Sequence, residues 1–276
     1  MFKGEGELEA ELEDLMSILS ESDLEREAEL FSPPAVSGPI FDLQCMGCAP
    51  GQCVACQDGS CAACPVAGNR CRTVLREAVI EAITLANNAA AKLEAAIKVP
   101  PAMRDPDAKE TARLFTAFFC HDPSLFISWA GGPSGASIAE RFRMVARELS
   151  GGRRIIFICR PDRVGCPDTD DTCCLPPGTE AFTMPQTAGR ESTLFLCPRF
   201  WRDDLQRQPG LPAVTNRAGT IIHEMLHMLY GFGPGKGRGI LDSDPKRANA
   251  HCHNAFVLRV NKYGRDRVST AGCGSC

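Results

Sequence analysis

Five histidines occur in the 276 residues, and two of them stand in Gly219-Thr-Ile-Ile-His-Glu-Met-Leu-His227, an H-E-x-x-H pattern. With five His and 18 Glu in the chain, chance would produce roughly 0.006 such matches. Beyond Gly219 no helix breaker interrupts the segment as far as Tyr230, and Ile222, Met225, Leu226 and Leu229 give it an apolar face. On an α-helix, positions i and i+4 lie about 40° apart, one above the other. His223 and His227 therefore aim two imidazoles at one point, which is how a zinc ion is gripped. Glu224 lies about 100° round from His223, near the ion but free to act as a base.

A catalytic zinc takes three protein ligands and keeps a position open. His121, His251 and His253 remain to supply the third. His121 sits far upstream in a Cys-His-Asp-Pro turn, a place for a capping or surface group. His251 comes 24 residues after His227, beyond a glycine-rich loop at 231–239 that lets the chain turn back. Helical spacing sets it beside Ala255 and Leu258, on an inward face. His251 is the favoured ligand; Asp242 or Asp244 is the next choice, and His253 follows. Zinc held in this way would lower the pKa of its water. Glu224 would take the proton and deliver it to a leaving amine. His253, Tyr230 or Tyr263 would steady the carbonyl oxygen.

The elements that must carry these residues are mostly helices. Residues 73–98 form a strong helix, with Val74, Ala78, Ile83, Leu85, Ala89, Leu93 and Ile97 as its apolar face and Pro100-Pro101 as its stop. Further helices are expected over 108–119, 136–149, 218–230 and 246–262. Residues 154–159 and 192–197 are apolar runs of strand length. Helices, a small central sheet and helices again indicate an α+β, mainly helical domain over 73–276. An acidic segment and linker precede it at 1–40, and a Cys-rich segment at 41–72.

Phe195-Leu-Cys-Pro-Arg-Phe-Trp201, a spacer and then Gly219-Thr-Ile-Ile-His-Glu-Met-Leu-His227 resemble the aspzincins, the group of deuterolysin and the lysine-specific metallo-endopeptidases. The similarity covers roughly residues 75–263. It implies a mainly helical zincin-like fold, one catalytic zinc, endopeptidase activity and a protein or peptide substrate. His223, His227 and Glu224 carry over directly. Aspzincins take an Asp as third ligand from a Gly-Thr-x-x-Asp-like loop followed by Tyr-Gly, and this sequence has no such loop after His227. Asp242 follows a glycine loop but lacks the Tyr. His251 opens the next helix, and His253 stands near where the assisting Tyr would be. A divergent relative with a His-His-His site is therefore expected. The alternative is a catalytically inactive zinc-binding or surface-binding protein on the same scaffold.

Composition narrows the partners. At 44% hydrophobic and 23% charged residues, the chain is ordinary globular protein. No run of 18 apolar residues exists, so no membrane span is expected. Residues 1–30 hold 11 of the 34 acidic and 2 of the 30 basic residues, leaving a net +5 on the rest. That charge is too dispersed for a nucleic-acid surface. Sixteen cysteines are many. C-x-x-C recurs at Cys45/Cys48, Cys53/Cys56 and Cys61/Cys64, with Cys71 beyond. The repeat carries disulfides, structural zinc or an iron–sulfur cluster, in that order of preference. Cys159, Cys166, Cys173, Cys174 and Cys197 are expected to staple the central loop, and Cys252, Cys273 and Cys276 the C-terminal end. Such bridging favours a secreted protein, exported by a route without a visible signal peptide. A third reading makes the insert the functional part, in a metal-storage or redox protein.

Overall fold

Leu75, Ala78, Val79, Ala82, Leu85, Ala86, Ala89, Ala90, Leu93 and Ala96 recur at intervals of three and four, and all are buried on one helix, α1 (Cys71–Lys98). The stripe is rotated slightly from the expected face, since Val74, Ile83 and Ile97 are only half-buried. Alanine at most of these positions keeps it thin, so neighbouring helices approach closely.

The computed structural model describes residues 41–45, 71–128, 131–159, 179–183, 192–202, 210–231 and 249–261. The chain divides into two units, Met1–Gly38 and Pro39–Cys276, and every described residue belongs to the second. The acidic segment, most of the C-x-x-C repeat, Cys166, Cys173, Cys174, Asp242, Asp244, Tyr263, Cys273 and Cys276 lie outside the described residues.

Among the described residues five α-helices follow α1, with a short 3-10 turn at Pro101–Met103: α2 (Pro106–Phe119), α3 (Ser134–Arg147), α4 (Pro198–Trp201), α5 (Ala213–Tyr230) and α6 (Ala250–Val260). Asp105 caps α2 by accepting from the Ala108 N–H at 2.7 Å, with Pro106 opening the helix. Gly231, at φ 64°, takes the left-handed position that ends α5. The most extensive contacts of α1 are with α3 and α5; α2 and α6 complete its surroundings.

The strands are β1 (Phe41–Cys45), β2 (Phe126–Ile127), β3 (Gly132–Pro133), β4 (Ile155–Cys159), β5 (Ala181–Thr183) and β6 (Ser192–Leu196). The main sheet runs β1-β4-β6-β5, and β2 and β3 form a small separate ladder. β1, β4 and β6 are parallel, with Phe41 opposite Ile155 and Ile155 opposite Ser192. β5 runs antiparallel to β6 at the edge. The sheet is thus mixed, and the fold is α+β and mainly helical, as expected. β1 lies within the segment assigned above to the Cys-rich insert. Its alternation of Phe, Leu and Cys is a strand signal too short to stand out beside the repeat.

Two cysteine expectations need correction. Cys159 and Cys252 form no disulfide; each is fully buried and packs as a small apolar side chain. Cys71, Cys120 and Cys197 are disulfide-bonded. No helix among the described residues is long and apolar enough to cross a membrane.

Candidate metal centre

Gly219 decides how close α5 and α6 come. A Cβ at that position would lie 2.8 Å from Asn254 Oδ1 and 3.3 Å from Leu258 Cδ1. The helices pass in opposite senses there. One turn further along α5 stands His223, and one turn back along α6 stands His251. The two imidazoles meet with ring centroids 4.3 Å apart, tilted by 49°.

His227 completes the group. Its Nε2 lies 2.9 Å from His223 Nε2, with the rings near perpendicular at 77°. One of these nitrogens must carry a lone pair towards the other, so at least one imidazole presents an acceptor. Glu224 Oε1 lies 3.9 Å from His223 Nε2, and both residues are 7% exposed. His223, Glu224, His227 and His251 are therefore brought together at the α5/α6 junction. Among the described residues no three His, Cys, Asp or Glu side chains already stand as a metal cage; the structure shows a nitrogen pair with a third ring laid against it.

His253 is placed elsewhere. It is fully buried, with its ring against Phe119 and Phe142 at 5.2 and 6.0 Å. Its Nδ1 is 2.8 Å from the Asn249 carbonyl oxygen, which can only accept, so Nδ1 holds the proton. Its Nε2 is 3.1 Å from Arg141 Nη1 and accepts from the guanidinium. Burial, and then the Arg141 charge, hold its pKa down to about 3, against the smaller opposing pull of the Asn249 carbonyl. In this tautomer His253 has no N–H left for a substrate oxygen, so the structure does not give it the helper's place that the sequence suggested. Tyr230 is half-buried beneath the Arg141 guanidinium, 5.5 Å from its ring centroid. Burial raises its pKa to about 12, so it stays a neutral phenol. His121 lies against Phe115, with centroids 5.6 Å apart.

Three polar side chains that sequence reading missed, Arg217, Thr220 and Arg141, tie α5 to its neighbours. Arg217, buried, donates to the Phe200 and Trp201 carbonyls at 2.9 Å each. Thr220 donates to Glu180 Oε2 at 2.6 Å, beside β5. Arg141 reaches both Tyr230 on α5 and His253 on α6. The signal for Arg141 is its spacing. It is a charged residue three after Ile138 and four before Val145, on the buried stripe of α3.

Comparison with family models, with curated proteins and with solved structures finds no match.

Proposed function

We propose that this chain is a zinc-dependent endopeptidase, with His223, His227 and His251 as metal ligands and Glu224 as general base. The observation that carries the reading is the His223–His227 nitrogen pair at 2.9 Å with the His251 ring at 4.3 Å and the Glu224 carboxylate alongside. Two ring nitrogens sharing a tetrahedral zinc are about 3.3–3.4 Å apart. The pair need open only by about 0.4 Å, a small rotation of two side chains. The donor set fits zinc by type, three imidazoles with a carboxylate beside them. When bound, zinc supplies the Lewis acidity that makes water a nucleophile near neutral pH.

The chain's own groups do the rest. Glu224 takes the proton of the attacking water and hands it to the departing amine. Its burial keeps competing solvent away from that transfer. Tyr230, three residues after His227 and protonated across the neutral range, is the hydroxyl donor for the developing oxyanion. β5 is one of the two edge strands of the described sheet, and it is the one that packs beside α5. An extended peptide can add as a further strand to such an edge, which supports a polypeptide substrate.

The likeness to aspzincins supports the same reading. Arg217 joins the Phe195–Trp201 motif to the zinc helix through its two carbonyl contacts, so the two motifs act as one unit. Disulfide-bonded Cys71, Cys120 and Cys197 fit a chain matured in an oxidising compartment, hence export. Zinc-loaded protein incubated with a denatured protein substrate should cleave it, and a chelator should stop the cleavage. Zinc bound one to one without cleavage would instead support a non-catalytic zinc-binding protein. No zinc uptake would overturn both.

A further inference from the structure

Two of the three proposed ligands sit on one helix, where spacing alone aligns them. The third belongs to another helix, and it is useful only if the first turn of α6 is held in register with the last turns of α5. The hydrogen bonds of that first turn form a chain. Asn249 Oδ1 accepts from the His251 N–H at 2.8 Å, capping the helix at its ligand residue. The Asn249 carbonyl accepts from His253 Nδ1 at 2.8 Å. His253 Nε2 in turn accepts from Arg141 at 3.1 Å. Arg141 is 6% exposed, so this contact is shielded from water. The same guanidinium covers the ring of Tyr230, three residues after His227.

We propose that Arg141 is the positioning residue of the metal centre: from α3 it ties the end of α5 to the start of α6 and so sets His251 against His223. This rests on the zinc reading above and adds to it a residue that touches neither metal nor substrate. The chemistry suits arginine. Its fork of N–H groups offers a donor to His253 while its flat face lies over Tyr230. A lysine keeps the charge and N–H donors but has no flat face to lie over Tyr230 and no fixed fork to hold both contacts at once. Through the relay Arg141 also selects the tautomer of His253, and with it the donor that fixes the Asn249 carbonyl.

The test uses the full chain and zinc alone as probe, with affinity read by competition against a chromophoric chelator. Arg141→Met should weaken zinc binding about 10- to 100-fold, the range for residues that support metal ligands. Arg141→Lys should recover part of that loss. In an Arg141→Met/His251→Ala double variant, the Arg141 change should cost almost nothing further, because its effect passes through His251. Wild-type zinc affinity in Arg141→Met would overturn the proposal, and so would the same fold-loss with and without His251. Should Arg141→Met fail to fold, nitrogen NMR of the wild-type protein still decides. His253 must carry its proton on Nδ1, and a proton on Nε2 would overturn the relay. If the wild-type chain takes up no zinc, the functional reading fails by itself. The inference about Arg141 is then judged by amide exchange at His251–His253, which should quicken at least tenfold in Arg141→Lys if the tie exists; unchanged exchange would overturn it.

Discussion

Two pairs of histidines, His223/His227 and His251/His253, show what helical spacing does to the same side chain. The first pair is four residues apart, and both rings face one side of α5, with their nitrogens 2.9 Å apart. The second pair is two residues apart, about 200° round the helix. One ring turns to His223, and the other turns into an aromatic pocket against Phe119 and Phe142. The half-buried His251 lays its ring against His223. His253, fully buried, has both nitrogens engaged inside the protein and is held neutral by burial and by Arg141. Neighbouring histidines therefore divide between the proposed metal centre and the aromatic core according to the face they occupy.

The sharpest way to break this contrast is at the base beside the first pair. Glu224→Gln should retain zinc and lose hydrolysis by about 10²–10⁴-fold, the contribution of a general base. Metal analysis with a peptide-cleavage assay checks it, and full activity would remove Glu224 from its role. Next come alanine substitutions in the second pair. His251→Ala should weaken zinc binding strongly while changing stability by less than about 1 kcal/mol. His253→Ala should behave in the opposite sense, losing about 2–4 kcal/mol in urea unfolding, because it leaves a cavity and strips Arg141 of a buried partner. Equal behaviour of the two variants would end the distinction.

A smaller effect is expected where the helices cross. Gly219→Ala gains about 1 kcal/mol of helix propensity. Its methyl must displace Asn254 or Leu258, a cost of about 1–3 kcal/mol. The net should be a loss of about 1 kcal/mol in thermal or urea unfolding, with a weaker zinc site because α6 moves relative to α5. The smallest effect lies away from both pairs. Arg104 holds Asp122 by two hydrogen bonds at 2.7 and 2.8 Å, and that contact, against the opposing effect of burial, lowers the Asp122 pKa to about 2. A depressed carboxylate adds stability above its unfolded pKa and loses it as pH falls through the folded value. Stability should therefore drop between about pH 4 and pH 2. Asp122→Asn should flatten that part of the pH profile in acid titrations followed by circular dichroism, leaving zinc binding unchanged.

Much of the scaffold is legible from local pattern. The period of α1 and the strand runs at 155–159 and 192–196 are written in neighbouring residues, while α2, expected from 108, begins at Pro106 behind the Asp105 cap. β1 was hidden because five residues beside a cysteine repeat carry too little period to be read. The fates of Cys159 and Cys252 were hidden because thiol pairing depends on which segments of the chain meet. Arg141, Arg217 and Glu180 were missed for a related reason. Their partners lie 112, 17 and 40 residues away along the chain.

Sequence by itself determined the alignment of His223, Glu224 and His227, since those residues share one helix and the helical repeat is a local property of the backbone. Read from the sequence, His251 and His253 both belonged to that site, although residues two apart on a helix lie about 200° apart round its axis. Only tertiary structure decided which of them turns to His223. That choice follows from the close approach of α6 to α5 at Gly219 and from the buried Arg141 that engages the other ring, contacts between segments distant in the chain that no local pattern encodes.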